Sequence, residues 1–125
     1  MRAAILGPLV AYNVNVAGPS NHAPFALLLQ DDNGATQGGL WADCFYDWLS
    51  IHLLVVPKGH RHQRLGTRLI RAAAAFTRVR GGTGMWLDTL TFPACGFYEK
   101  QGFICFGELT DHPKDGSRLF MQKRL

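Results

Sequence analysis

The sequence predicts an α/β domain in which a mixed, mostly antiparallel sheet of about six strands is flanked by helices. Two observations predict this class: short apolar stretches typical of strands, and between them a segment whose apolar residues recur at helical spacing. The 125 residues suit one compact domain, so we expect a single domain over 1–125 with one functional site. The sequence contains no run of eighteen apolar residues, so we expect no membrane partner.

The first part of the chain is predicted to hold a helix followed by a β-hairpin. The segment Pro8–Val16 begins with proline, which suits a first helical position, and Gly18 follows it as a stop. The strand Pro24–Gln30 then leads through Asp31-Asp32-Asn33-Gly34, whose residues tolerate positive φ. A second strand over Ala35–Cys44 completes the hairpin.

The middle of the chain carries the most continuous apolar stretch. The segment Asp47–Val56 is too apolar for a half-exposed strand, so we expect a central strand covered on both faces. Over Arg64–Arg78 apolar side chains share one helical face and arginines the other, and Gly81-Gly82 ends this helix. The remaining predicted elements, in order, are a strand at Met85–Leu90, a helix at Pro93–Gln101, and strands at Phe103–Leu109 and Arg118–Lys123.

Charge and cysteine content narrow the function classes. The net charge of +4 suits either nucleic acid or a polyanionic cofactor, but the sequence shows no helix-turn-helix, zinc or RNA-binding signature, so we expect no nucleic-acid partner. The cysteines Cys44, Cys95 and Cys105 are odd in number and lack Cys-x-x-Cys pairs. We therefore expect reduced thiols, no metal site and a cytoplasmic protein.

A buried strand that runs through a turn into a helix predicts an anion cradle over residues 55–70. The first amides of a helix have no partner within the helix and sit at its positive end, where a diphosphate fits. Gly66 also allows tight helix–strand packing, so this segment alone leaves a purely structural interpretation open.

A second segment after the next strand makes the pattern specific. The first segment reads Arg61-x-x-Arg64-x-Gly66, and the second reads Thr91-x-x-Ala94-x-x-x-Tyr98 followed by Gly102-Phe103. In this order and separation the two segments resemble the paired motifs of the GNAT superfamily of N-acetyltransferases, from about Asp47 to the C-terminus. The resemblance implies a GNAT-like fold and transfer of an acetyl group from acetyl-CoA, the cosubstrate, to an amine of a small molecule or protein by direct attack in a ternary complex.

The chain departs from the family pattern at three places. Arg64 stands where the family usually has glycine, which puts close approach of the backbone to the diphosphate in doubt. Thr91 stands where asparagine is usual, and its hydroxyl offers fewer hydrogen bonds than an amide. The family's usual first strand is lacking before Pro24–Gln30, so we expect that strand to be an exposed edge or to be covered by another subunit in a homodimer.

The resemblance implies roles for individual residues. The backbone of Leu54 and Val56 is expected to bind the pantetheine arm, and Thr91 to lie beside the cofactor. The remaining cofactor-binding residues are those of the turn and first helical turn: Arg61, His62, Gln63, Arg64, Leu65, Gly66 and Thr67.

Two side chains are candidates for catalysis. Tyr98 matches the tyrosine that in many family members protonates the departing thiolate, although packing against the sheet is the alternative. His52 lies about 13 Å before the phosphate turn at ~3.3 Å per residue, which makes it a candidate general base. A water chain in place of His52, a core role for that histidine, and a non-catalytic acyl-CoA-binding domain remain the alternatives.

Overall fold

The computed structural model describes residues 1–59, 64–90 and 92–125, apart from the side chains of residues 92 and 93. Six strands in these ranges are β1 (Ala23–Gln30), β2 (Thr36–Phe45), β3 (Trp48–Val55), β4 (Gly84–Thr89), β5 (Ile104–Thr110) and β6 (Ser117–Arg124). The three helices there are α1 (Arg2–Ala17), α2 (Leu65–Val79) and α3 (Phe92–Lys100).

The strands form one sheet in the order β1-β2-β3-β4-β6-β5. The β3–β4 pair is parallel, and the other four neighbouring pairs are antiparallel. This confirms the predicted mixed, mostly antiparallel sheet flanked by helices. Within the described ranges, β1 lies at the sheet edge and α1 precedes it.

The predicted hairpin joins β1 to β2. Its turn is held by the side chain of Asp31, whose Oδ1 accepts hydrogen bonds from the amides of Asn33 and Ala35, each at 2.9 Å. Such a local carboxylate–amide pattern satisfies backbone donors that the ladder cannot reach at a chain reversal.

The core lies between the sheet and the apolar face of α2. Leu69, Ile70 and Ala73 of this helix are buried against Leu49 and Leu87 of the two central strands. These two strands meet the helix because β3 and β4 are the strands that flank it in sequence, as in any strand–helix–strand crossover. Truncating a fully buried leucine such as Leu49 to alanine is expected to cost about 2–5 kcal/mol.

Helix α1 differs from its prediction in start and in surroundings. It begins at Arg2, so Pro8 lies inside the helix and not at its first position. The helix formers Ala3 to Leu6 extend the helical run on the N-terminal side of Pro8, despite the amide that proline lacks. None of the residues of α1 is buried. In the described part of the chain, no helix combines the length and the hydropathy that crossing a bilayer requires.

The expectation that β3 is covered on both faces is wrong. Burial alternates as far as Ile51, and then both His52 and Leu53 are exposed, with Leu53 at 62%. Helices α2 and α3 supply the core on one face only. We call the other face, which carries Trp41, Asp43, His52, Trp86 and Phe120, the open face.

Candidate active site

The two central strands pair over only part of their length. Their parallel register runs from Trp48 opposite Gly84 to Ile51 opposite Leu87. Beyond this point β3 continues to Val55 and β4 to Thr89, but the described residues carry no further β3–β4 ladder. We call the resulting gap the β3–β4 opening. A gap between two strands can admit an extended ligand, which then binds through strand backbone groups.

His52 lies on the open face at a β-bulge. On β2, Trp41 pairs with Leu53 and Ala42 pairs with Ile51, so His52 is the extra residue on β3. Alternation along β3 places His52 on the same face as Ser50, and the bulge shifts the alternation after it, so that Leu53 also lies on the open face. The side chain of His52 is accordingly 48% exposed, which contradicts the alternative of a core histidine.

One carboxylate contacts two histidines at this position. Asp43 Oδ1 lies 2.7 Å from Nε2 of His22, in a hydrogen bond, and its Oδ2 lies 3.2 Å from Nε2 of His52. The carboxylate is 26% exposed, and both histidines are about half exposed. A carboxylate placed this way favours the tautomer with the proton on Nε2, which leaves the Nδ1 lone pair of His52 available to a proton.

The sequence analysis missed Asp43 and His22. The available signal was Asp43 itself, a charged side chain within the otherwise uncharged strand Thr36–Phe45. Its partner His22 precedes β1 and comes close only because β1 and β2 pair with Ala23 opposite Cys44.

Two cavities lie on the open face beside this cluster. The first, of about 310 Å³, is bordered by the cluster of His22, Asp43 and His52 together with Ser50. Its aromatic walls are Phe45, Trp48 and Trp86. The second, of about 390 Å³, is lined by Trp48, Trp86, Phe106, Phe120 and Gln122. Because Trp48 and Trp86 border both, the two cavities are neighbouring parts of one surface, which we call the aromatic groove.

Glycine at position 84 allows Trp48 to lie across the neighbouring strand. A Cβ atom at Gly84 would lie 2.7 Å from Cζ3 of Trp48 and 2.6 Å from the carbonyl oxygen of Lys123. Both distances are shorter than real contacts allow. The guanidinium of Arg124 stacks on the same indole, 5.4 Å from its centroid. The indole of Trp48 is thereby fixed between Gly84 of β4 and Arg124 of β6.

The start of α2 is where the sequence predicts an anion cradle. Arg64 is the N-cap and adopts φ 59° and ψ 25°, the left-handed region that favours glycine. Its side chain is exposed and makes no capping hydrogen bond, and the first turn holds no acidic residue. The amides of Leu65, Gly66 and Thr67 therefore open the helix at its positive end, a setting that fits a diphosphate.

Gly66 also has the packing role that the sequence left open. A Cβ at Gly66 would lie 3.0 Å from Cζ of Phe97 and 3.6 Å from Cγ2 of Val56. This glycine lets the start of α2 approach both α3 and the end of β3. The hydroxyl of Thr67 accepts a hydrogen bond at 2.9 Å from Gln101, the residue that follows α3, while the backbone of Thr67 remains part of the first turn of α2.

Several predicted cofactor-binding residues lie outside the described residues. These are Arg61, His62, Gln63 and Thr91. Of the two strand residues, Leu54 is partly buried and packs against the core on the helix side, as does Val56 just after β3.

Tyr98 lies on the helix side of the sheet. It is 9% exposed, and its ring contacts Phe97 and Phe103 edge-on, with centroids 5.1 and 5.7 Å away. Burial raises the pKa of the Tyr98 phenol above its ordinary value of 10.0, so the group is protonated at neutral pH. Tyr98 and His52 thus lie on opposite sides of the sheet, and the β3–β4 opening is the gap between those sides.

Comparisons with known proteins agree with this architecture. The family model of the acetyltransferase (GNAT) domain matches residues 23–105. A curated acetyltransferase of Agrobacterium fabrum is 33% identical over 121 residues, which cover 97% of this chain and 88% of the relative. Blasticidin-S acetyltransferase of Streptomyces morookaense is 36% identical over 102 residues, covering 81% of this chain and 75% of the relative. A crystal structure of an acetyltransferase from Bacillus cereus superposes with a TM-score of 0.89 at 27% identity, covering 98% of this chain and 89% of that one.

Proposed function

The chain belongs to the GNAT superfamily of acetyltransferases and is an acetyl-CoA-dependent acyltransferase with acetyl-CoA as its cosubstrate; we propose that it acetylates an amine by direct attack in a ternary complex. The observation that carries this proposal is the position of His52. His52 lies at a bulge, beside a carboxylate and at the end of the β3–β4 ladder, and this position next to the β3–β4 opening supports a role as the base.

We assign cosubstrate binding to the β3–β4 opening and the start of α2. The backbone of Leu54 and Val56 would hold the pantetheine arm along β3. The amides of Arg64, Leu65, Gly66 and Thr67 would hold the diphosphate at the positive end of the helix. Arg61, His62, Gln63 and Thr91 remain proposed members of this site on the resemblance of their motifs.

His52 is proposed to take the proton of the attacking amine. A primary amine titrates near ~10.4, so it is mostly cationic at neutral pH and must lose a proton before it attacks. With Nε2 of His52 directed at Asp43, Nδ1 is the nitrogen that receives this proton. Asp43 then stabilises the imidazolium and keeps the ring oriented, so it is a positioning residue and not itself the base.

Tyr98 is proposed to serve the leaving thiolate. As the carbon–nitrogen bond forms and the carbon–sulfur bond breaks, the sulfur acquires negative charge that needs a hydrogen-bond donor. A phenol whose pKa is raised by burial keeps its proton at neutral pH and can therefore donate to that sulfur.

The acceptor is proposed to be a small-molecule amine. Two relatives are named for acetylating blasticidin S and streptothricin, and both names refer to small amine-bearing compounds. The cavities of about 310 and 390 Å³ on the open face have the size expected of small-molecule sites. We also propose a cytoplasmic location, since all three cysteines are free. A homodimer through the exposed edge of β1 is a further proposal.

The test measures cosubstrate binding and turnover separately. Acetyl-CoA should raise the melting temperature by an amount that grows with its concentration, and a panel of small amines should release free thiol. The variant His52→Gln should lower kcat/KM by about 10²–10⁴-fold while acetyl-CoA affinity stays within about twofold. Equal turnover by wild type and His52→Gln would refute the assignment of the base.

A further inference from the structure

We propose that the acceptor is a primary amine joined through a short aliphatic linker to a flat aromatic ring, and that the aromatic groove binds this ring. The inference rests on the proposed function, since it assigns the substrate class of the same site. It follows from three features of the groove: its continuity with the base, its fixed aromatic walls and its charge.

The groove runs from the base to an apolar end. Its first cavity contains His52 and Asp43, and its second contains Phe106 and Phe120. Both share the walls Trp48 and Trp86, so a molecule that reaches from His52 to Phe120 passes these two indoles. The part of the acceptor beyond the reacting nitrogen would therefore contact aromatic faces and edges.

The Trp48 wall, which both cavities share, is held in place before any ligand arrives. Trp48 is fixed over Gly84 by close approach and under Arg124 by stacking. Phe106 and Phe120 contact each other with centroids 6.3 Å apart and a tilt of 54°. Fixed aromatic surfaces favour a rigid planar ring, because stacked and edge-to-face contacts add to simple burial of area and little side-chain entropy is lost.

Charge divides the groove into two ends. Among the described residues that line it, the charged and titratable groups are Asp43 and the two histidines, all at the first cavity. On the open face nearby, the carboxylate of Asp88 already accepts hydrogen bonds from Nε and Nη2 of Arg118, at 3.0 and 2.7 Å. A cationic amine thus belongs beside Asp43, and an uncharged ring belongs beside Phe120. The amide of Gln122 is the polar group there that a ring substituent can reach.

A matched pair of amines tests the ring requirement. The probes are 2-phenylethylamine and 2-cyclohexylethylamine, which share the amine, the linker and the carbon number but differ in planarity and π-electrons. Calorimetry at pH 7 on the protein saturated with coenzyme A should give about threefold to tenfold tighter binding of the phenyl compound, the range expected of one aromatic pair.

Variants locate the preference in the groove. In Trp86→Leu the phenyl preference should fall below about twofold. The matched control Trp41→Leu removes a tryptophan of the same open face that lines neither cavity, and it should keep the preference. If Trp86→Leu fails to fold, Phe120→Leu provides the same comparison at the other end of the groove. Equal binding of the two amines by wild type, or a preference that survives in both groove variants, would overturn the proposal.

Thiol release keeps this proposal distinguishable from the proposed function. Both probes should be acetylated, with the higher kcat/KM for the phenyl compound. If aliphatic amines are acetylated and the phenyl compound is not favoured, the ring proposal fails and the acetyltransferase assignment stands. If no amine releases thiol but the phenyl preference in binding is present and lost in Trp86→Leu, the proposed function fails and the groove assignment stands.

Discussion

Replacing Asp43 by asparagine isolates the electrostatic part of its role. The substitution keeps the shape of the side chain and removes its charge, while His52 and the bulge remain. Once His52 has taken a proton from the amine, it is a cation whose Nε2 lies 3.2 Å from Oδ2 of Asp43. In Asp43→Asn this cation loses its counter-charge, so the transition state that leads to it becomes less favourable.

The magnitude follows from that distance. Two unit charges 3.2 Å apart attract by about 1.3 kcal/mol at the dielectric constant of water and by about 2.6 kcal/mol at half that value. Dielectric constants this high are appropriate because His52 is 48% exposed and solvent screens the attraction between the two charges. At about 1.4 kcal/mol per factor of ten, kcat/KM should fall roughly tenfold to eightyfold.

Steady-state thiol release with a fixed amine measures this loss. The effect should appear in kcat, with acetyl-CoA affinity within about twofold of wild type, and Asp43→Glu should recover part of the rate. The matched control is His22→Gln, which removes the other partner of the same carboxylate and should change kcat/KM by less than about threefold. A wild-type rate in Asp43→Asn, or an equal loss in His22→Gln, would refute a positioning role directed at His52.

Three further substitutions test other features of the structure. Arg64→Gly should stabilise the protein by about 1 kcal/mol in thermal unfolding, because Arg64 holds φ 59°; a lower melting temperature would contradict this strain. Gly84→Ala should destabilise by about 1–3 kcal/mol and weaken ring binding, since its Cβ would meet Lys123 O and Trp48; unchanged melting and binding would show that the strand shifts freely. Tyr98→Phe should lower kcat with little change in acetyl-CoA affinity, and a kcat equal to wild type at every pH argues against the acid role. Burial raises the pKa of Tyr98 above 10.0, so the wild type keeps the stability associated with the protonated phenol below pH 10.0 and loses it as pH rises through the folded pKa. Tyr98→Phe should therefore lose less stability above pH 10.0, and parallel alkaline melting curves would contradict the burial effect.

Local patterns in the sequence predicted most of the fold. The apolar runs and turn residues that predict β1, β2 and the closing strands are local signals, each contained in a few consecutive residues. The helical period of α2 is a local signal of the same kind. The sequence predicts the start of α1 too late, because proline favours a first helical position whereas apolar helix formers precede Pro8. Sequence periodicity alone cannot decide whether the preference of proline for a helix start or the helix propensity of the preceding residues determines where α1 begins.

The candidate site was predicted less completely because it depends on pairing between strands. A bulge against β2 at His52 shifts the alternation of β3 and places Leu53 on the open face, since a one-residue change in register reverses which face a side chain occupies. Asp43 and His22 are 21 residues apart and meet only through the β1–β2 pairing. The left-handed conformation of Arg64 was likewise invisible in its residue type, since arginine normally avoids it.

The four paired positions between β3 and β4 divide the sheet into two three-stranded leaves, β1-β2-β3 and β4-β6-β5, that share a short seam. A long ligand bound past Ile51 would bridge the two leaves at positions where the described residues of β3 and β4 form no ladder with each other. Amide hydrogens of Leu53 and Leu87 should then exchange more slowly once coenzyme A binds, and tightening of one leaf against the other would reach the aromatic groove through Trp48 and Trp86.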